Sequence, residues 1–153
     1  MAQETITLRR ATRDDVAAVT ACVCRAYLPW IPVVGRQPGP MLEDYAAVIV
    51  RHEVHVAEAD GSVVGVLVLD TGRERLFVDN VCVDPALQRA GVGRRMLAFA
   101  EDEARRRGDD AIDLSTHEKM ASNLALYARL GYRVVGHRDV NGYPRAFMRK
   151  ELA

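Results

Sequence analysis

Two hydrophobic rhythms alternate along this chain. Ile6-Thr7-Leu8 steps with period two, as a short strand does. Thr12-Arg13-Asp14-Asp15 then offers a hydroxyl cap and first-turn acids, and Val16, Val19, Val23 and Ala26 recur at helical spacing. Between Tyr27 and Pro40 the rhythm stops. Pro29, Pro32, Pro38 and Pro40 predict a long irregular loop that carries Tyr27 and Trp30 as exposed aromatics. Met41 to Arg51 returns to helical spacing. Strands follow at Val54–Ala59, Val63–Leu69 and Leu76–Val83, separated by turn signals at Asp60-Gly61 and Asp70-Thr71-Gly72. Met96, Leu97, Ala100 and Ala104 mark one face of a helix over Gly93–Arg107, stopped by Gly108. Ile112–Thr116 reads as a strand and Asn123–Leu130 as a short helix ended by Gly131. Tyr132–Arg138 and Arg145–Lys150 are the final strands. The order predicts one α/β domain over residues 1–153, with a mixed, mostly antiparallel central sheet flanked by helices.

Composition narrows the function classes. With 153 residues, 49% hydrophobic and 27% charged, the chain can bury a core of its own. Its 21 basic and 21 acidic residues cancel, so no global field draws it to nucleic acid or an anionic membrane. Any anion must be caught locally. The polar start Met1-Ala2-Gln3-Glu4-Thr5 lacks the pattern of a secretory leader, and no unbroken apolar run approaches the roughly 20 residues of a membrane span. Cys22, Cys24 and Cys82 are sparse and odd in number, which fits small apolar packing in a reducing cytoplasm. His52 and His55 have no third ligand at useful spacing, so no metal is expected.

The local anion trap lies in Val81-Cys82-Val83-Asp84-Pro85-Ala86-Leu87-Gln88-Arg89-Ala90-Gly91-Val92-Gly93-Arg94-Arg95. An apolar strand ends, a short loop follows, and a helix opens. Gly91 and Gly93 let the backbone approach a ligand closely, while the first-turn N–H groups and the helix dipole favour negative charge. Arg89, Arg94 and Arg95 add positive charge. A tight turn with solvated arginines would show the same residues. No Gly-Lys-Ser/Thr makes this a P-loop, and Met96 stands where a dinucleotide fingerprint needs its third glycine.

Gln88-x-x-Gly91-x-Gly93 after Val83-x-Pro85 resembles the acetyl-CoA signature of the GNAT superfamily of N-acetyltransferases. Asn123-Leu124-Ala125-Leu126-Tyr127-Ala128-Arg129-Leu130-Gly131-Tyr132 is similar to that superfamily's second motif. The resemblance implies that Val81 and Val83 pair with the pantetheine arm, beside Cys82. It implies that the amides of Arg89, Ala90, Gly91, Val92, Gly93 and Arg94 hold the pyrophosphate, with Gln88 lining the turn. Asn123 would bond the pantetheine or pyrophosphate region, or simply cap its helix. Tyr127 would be the general acid on the CoA thiolate, or a core tyrosine.

The implied reaction moves an acetyl group from acetyl-CoA to a primary amine, small molecule or peptide, by direct attack. A non-catalytic acyl-CoA-binding or sensor module on the same fold is the alternative. Members often form homodimers. A base must accept the amine proton and an N–H near Val81 must hold the oxyanion. His117, Glu118 and Asp79 are the possible bases. Strand alternation puts Asp113 and Ser115 on one face, Leu114 and Thr116 on the other. The acceptor is expected between Tyr27–Tyr45 and Asn141–Arg145, where Glu43 and Asp44 stand ready to meet a cationic amine. A covalent route through Cys82 is disfavoured, because a thiol in an apolar strand is usually inert.

Overall fold

A computed structural model describes residues 5–153; residues 1–4, part of the segment from which no leader is expected, lie outside it. Among the described residues seven strands form one sheet in the order β1-β2-β3-β4-β5-β7-β6. They are β1 (Ile6–Arg10), β2 (Glu53–Ala59), β3 (Ser62–Asp70), β4 (Phe77–Val83), β5 (Ala111–His117), β6 (Arg133–Val140) and β7 (Tyr143–Glu151). All neighbours are antiparallel except β4 and β5. That exception follows from the connection, since helix α4 (Val92–Arg107) carries the chain back across the sheet between them.

Helices cover both faces. On one side, α4 presents Val92, Met96, Leu97, Ala100 and Ala104 to Leu67, Leu69, Ile112 and Leu114, and Tyr127 of α5 (Ala121–Arg129) joins the same core. On the other, Val19, Cys22, Val23 and Ala26 of α1 (Val16–Tyr27) pack with Val48 of α3 (Tyr45–Arg51) onto Val54, Val56, Val66, Val68 and Cys82. The β3 residues Val66 to Leu69 alternate between these two cores, which is why the sequence there is apolar without interruption.

The segment after α1 departs from the loop expected of its prolines. Leu28–Trp30 is a 3₁₀ turn, Ile31–Val34 forms α2, and Gly39–Leu42 is another 3₁₀ turn. Pro29, Pro32 and Pro40 sit in the first positions of these turns, where no intrahelical N–H bond is required, so the prolines start turns rather than break them. Tyr27 and Trp30 are not exposed; they pack beside Val34, Met120 and Tyr143. Helix α3 starts at Tyr45 instead of Met41, because Asp44 caps it by accepting the Ala46 amide at 3.1 Å. The helical run Arg13–Val34 has the length and apolar composition of a membrane span. Here its apolar residues Val19, Cys22, Val23 and Ala26 lie against the sheet.

Candidate active site

The parallel strands β4 and β5 share only the Phe77–Asp113 and Val78–Leu114 pairs before they separate. On its other side β4 stays paired with β3 as far as Val83. That ladder places Val68 opposite Asn80 and Leu69 opposite Val78, leaving Asp79 as the extra residue of a bulge. Bulges bend the strand that carries them. Beyond this one, β4 has no strand partner on its β5 side among the described residues, and a wedge opens between the two strands. Asp79, Val81, Ser115, His117, Tyr127 and Arg145 are among the side chains that line it.

At the wedge's outer end lies the turn from β4 into α4, the segment in which a cradle is expected. Asp84 accepts the Ala86 amide at 3.0 Å and holds the turn that carries the chain away from β4. Gly91, with φ +83°, is the N-cap of α4, a backbone region that penalises any Cβ. The helix starts at Val92, one residue earlier than the sequence suggests. Amides of Gln88 and Ala90 bond back to Pro85 and Leu87, so Ala90 is engaged within the turn instead of offering its N–H. Among the described residues, no backbone carbonyl takes the amides of Arg89, Gly91, Val92, Gly93 or Arg94. A Cβ on Gly93 would meet only Val83 Cγ2 at 3.6 Å, an ordinary contact, so the protein's own packing does not demand glycine there. Such a row of free amides with an open approach suits a pyrophosphate. Arg95 donates to the Ile6 carbonyl at 2.7 Å, whereas no described residue engages the exposed Arg89 and Arg94 side chains.

Tyr127 stands deep in the wedge. It is buried, and no described residue bonds its hydroxyl. Among the described residues no enclosed side-chain N or O atom lacks a partner, so that hydroxyl must reach open space in the wedge. Burial, then the nearby Cys82 thiol, pushes its pKa up to about 12, against a smaller downward pull from Arg145. The phenol therefore keeps its proton throughout the neutral range. Asn123 lies in the first turn of α5, where Met120 rather than Asn123 is the N-cap, and its amide reaches Thr116 Oγ1 and Met120 Sδ at 3.5 Å.

The three possible bases are placed very differently. His117 is buried in the wedge, and burial, then Arg145 and Lys119, hold its pKa below the usual histidine value. Its Nδ1 accepts the Lys119 amide at 3.0 Å, so the neutral ring carries its proton on Nε2 and has no lone pair free. Glu118 lies outside the wedge lining, 2.7 Å from His137. Asp79 is exposed on the bulge and lines the wedge with no hydrogen-bond partner among the described residues. The acids expected to greet the amine lie elsewhere: Glu43 faces Arg51 at 3.8 Å and Asp44 caps α3. His52 lies beside Asp70 and His55 beside Glu53. The Cys82 thiol faces α1, where the neighbouring Cys22 thiol and burial push its pKa up, away from the reactive thiolate.

Three features of the opposite wall leave little trace in the sequence. Buried Asn80 accepts from the Tyr27 hydroxyl at 2.6 Å and donates to the Tyr45 hydroxyl at 3.4 Å, while Tyr45 donates to the Pro40 carbonyl at 2.6 Å. This chain ties the segment after α1 to the edge of β4. Tyr143 on β7 packs edge-on to His117, donates to the Gln37 carbonyl, and carries the Arg36 guanidinium 3.6 Å above its ring. Arg145, opposite His117 in the β5–β7 ladder, turns into the wedge. A polar residue inside the apolar run Phe77–Val83 is the one available signal for Asn80.

A wedge between parted parallel strands, with an amide cradle beside it, is the architecture of an acyl-CoA N-acyltransferase fold. The family model described as "Acetyltransferase (GNAT) family" matches residues 23–132, and the chain belongs to that family. Among relatives, it is 28% identical over 134 residues to the aminoalkylphosphonate N-acetyltransferase of Salmonella typhimurium strain LT2, covering 82% of this chain and 84% of that protein. It is 31% identical over 85 residues to the "uncharacterized N-acetyltransferase YvbK" of Bacillus subtilis strain 168. That match spans 55% of each protein, about half the relative's length. In fold, the chain matches the PaiA N-acetyltransferase of Thermoplasma acidophilum, solved in complex with coenzyme A, with a TM-score of 0.78 at 19% identity. This covers 97% of the chain and 99% of that structure.

Proposed function

We propose that this protein transfers an acetyl group from acetyl-CoA to a primary amine by direct attack within the β4/β5 wedge. The observation that carries the reading is the parting of the strands: it leaves the β4 edge free beside a row of unbonded amides and a buried, protonated tyrosine. The amides of Arg89 and of Gly91 to Arg94 would hold the pyrophosphate. The free edge at Val81 and Val83 would receive the pantetheine amides as an added strand. Acetyl-CoA supplies the thioester.

The chain's own groups account for the proton traffic. Asp79 is the base we favour, because it is the one of the three possible bases that both faces the wedge and keeps free lone pairs. An N–H of the β4 edge near Val81 stabilises the oxyanion. Tyr127, kept protonated by burial, gives its proton to the departing sulfur. A relative whose named substrate is an aminoalkylphosphonate supports a small amine as acceptor.

The test is thiol release from acetyl-CoA with a panel of primary amines, alongside calorimetric CoA binding. Amine-dependent release above background hydrolysis is expected. Tight CoA binding with no release for any amine would instead define a binding or sensor module.

A further inference from the structure

The wedge holds a sharply limited set of charges. Among the described residues that line it, Asp79 is the only acid and Arg145 the only permanently charged cation. Their environments differ. Asp79 is exposed at the bulge, whereas Arg145 is half-buried on β7.

Arg145 is held but not neutralised. Its Nε donates to Ser115 Oγ at 2.9 Å and its Nη2 to the Ser115 carbonyl at 3.0 Å. Both partners are uncharged, and no carboxylate lies within ion-pairing distance of it among the described residues. Arg149, four residues along the same strand, shows the ordinary solution: its Nε meets Asp113 at 2.7 Å and its charge is answered. The Arg145 Nη1 has no partner among the described residues either. Because no enclosed polar side-chain atom there goes unbonded, that nitrogen opens onto the wedge. A half-buried guanidinium fixed on one side by neutral acceptors, with the rest of its donors directed at a cavity, is a fork awaiting an anion.

Pyrophosphate is the wrong anion for this fork. Strand alternation separates Ser115 and Arg145 from Leu114 and Met148, whose side chains join the α4 core, so Arg145 works on the sheet face opposite the α4 cradle. That face is bounded by Tyr27 and Tyr143, where the acceptor side of the wedge lies. We propose that the acceptor is a zwitterion, an amine that also carries a carboxylate or phosphonate, with Arg145 gripping the anionic group while the amine lies toward Asp79. The proposal rests on the acetyl-transfer reading and specifies its substrate class. Peptide N-termini and plain polyamines, which lack an anion near the amine, are poor fits.

Matched acceptor pairs test it on the full chain: an amino acid against its carboxamide, and an aminoalkylphosphonate against the corresponding amino alcohol. Charge-assisted bonds of this kind correspond to roughly 10- to 100-fold in affinity, so the anionic member of at least one pair should have a kcat/KM higher by about that factor. The pair that shows it tells carboxylate from phosphonate. Arg145→Gln should erase the preference by raising KM for the anionic member. Arg145→Lys should keep part of it, and Arg149→Gln all of it. CoA binding by each variant reports that it is folded. Binding of the unreacted amines to the CoA complex, read by calorimetry, supplies a second measurement free of turnover. Equal kcat/KM within both pairs for the wild type overturns the anion fork while leaving acetyl transfer intact. So does an Arg145→Gln variant whose kcat falls alike for both members, which would make Arg145 a merely structural group. If zwitterions bind in an Arg145-dependent way but no thiol is released, the fork stands and the acetyl-transfer reading fails.

Discussion

The two walls of the wedge are built by different means. On the proposed donor wall, the groups that matter are free backbone amides of one short stretch, Arg89 and Gly91 to Arg94, and one tyrosine on the next helix. On the acceptor wall they are side chains gathered from α1, β4, β5 and β7, namely Tyr27, Asn80, Ser115 and Arg145. A backbone site depends on local conformation, so its residues must be contiguous and include glycine. A side-chain site depends on register across the sheet, and its members can be far apart along the chain yet adjacent in the fold. In the proposed reaction the first kind would bind a part of the ligand that never varies, and the second would be free to change with the acceptor.

The largest way to break this contrast is to fill the cradle. Gly93→Glu has room for its Cβ, with Val83 Cγ2 at 3.6 Å as the only near atom, but it brings a carboxylate toward the free amides. Acetyl-CoA affinity should fall about 100-fold, equivalent to about 2.7 kcal/mol. The unliganded melting temperature should hold or rise slightly, since glycine is a poor helix former. Calorimetry decides: unchanged affinity would remove the cradle from the donor site.

Next in size is the tyrosine that closes the donor wall. Tyr127→Phe removes a proton donor whose hydroxyl has no partner among the described residues, so the fold loses no internal hydrogen bond there. A drop in kcat of about 100-fold is expected for the loss of a general acid, with CoA affinity nearly unchanged. Parallel loss of both would turn Tyr127 into a packing residue.

The local conformation behind both features is legible in the sequence, because its determinants are neighbours in the chain. The turn at Asp84-Pro85, the positive-φ glycine at Gly91 and the periodic face of α4 all follow from neighbours in the chain. The mixed, mostly antiparallel sheet is legible for the same reason, through strand alternation and turn residues. Features that depend on two distant strands are not. The Asp79 bulge exists only relative to β3, and Arg145 differs from Arg149 in the β5 residue its guanidinium bonds, Ser115 rather than Asp113. The prolines after Tyr27 mislead because proline halts a helix interior but favours a helix start, and the pattern alone does not say which applies.

On the acceptor wall, Asn80→Leu tests whether the polar chain from Tyr27 to Pro40 shapes the site. The change leaves the Tyr27 hydroxyl without its acceptor in a buried place, a loss of roughly 1–3 kcal/mol. Melting should fall by several degrees, and KM for the amine should rise while CoA affinity stays put. If KM for acetyl-CoA moved instead, Asn80 would belong to the donor wall and the contrast would blur.

The smallest effect is the most specific to the wall's charge. His117 sits among Arg145, Lys119 and Arg36, opposed by Glu118, and its pKa is held below the ordinary value by burial first and by the cations after it. In the unfolded chain it titrates near the ordinary value of about 6.5. As pH falls below that, the unfolded state takes up a proton that the folded state refuses, so stability is lost with acid until the lower folded pKa is passed. Each unit of depression corresponds to about 1.4 kcal/mol. Protonation would also break the bond from the Lys119 amide to Nδ1. Glutamine at position 117 does not titrate, so the difference between the wild type and His117→Gln reports this one group. The wild type should therefore lose stability relative to the variant between about pH 7 and about pH 5.5, the range around the unfolded value, as read by paired thermal melts. If the wild type gained on the variant instead, Glu118 would outweigh the cations, and the acceptor wall would present less positive charge than an anionic acceptor needs.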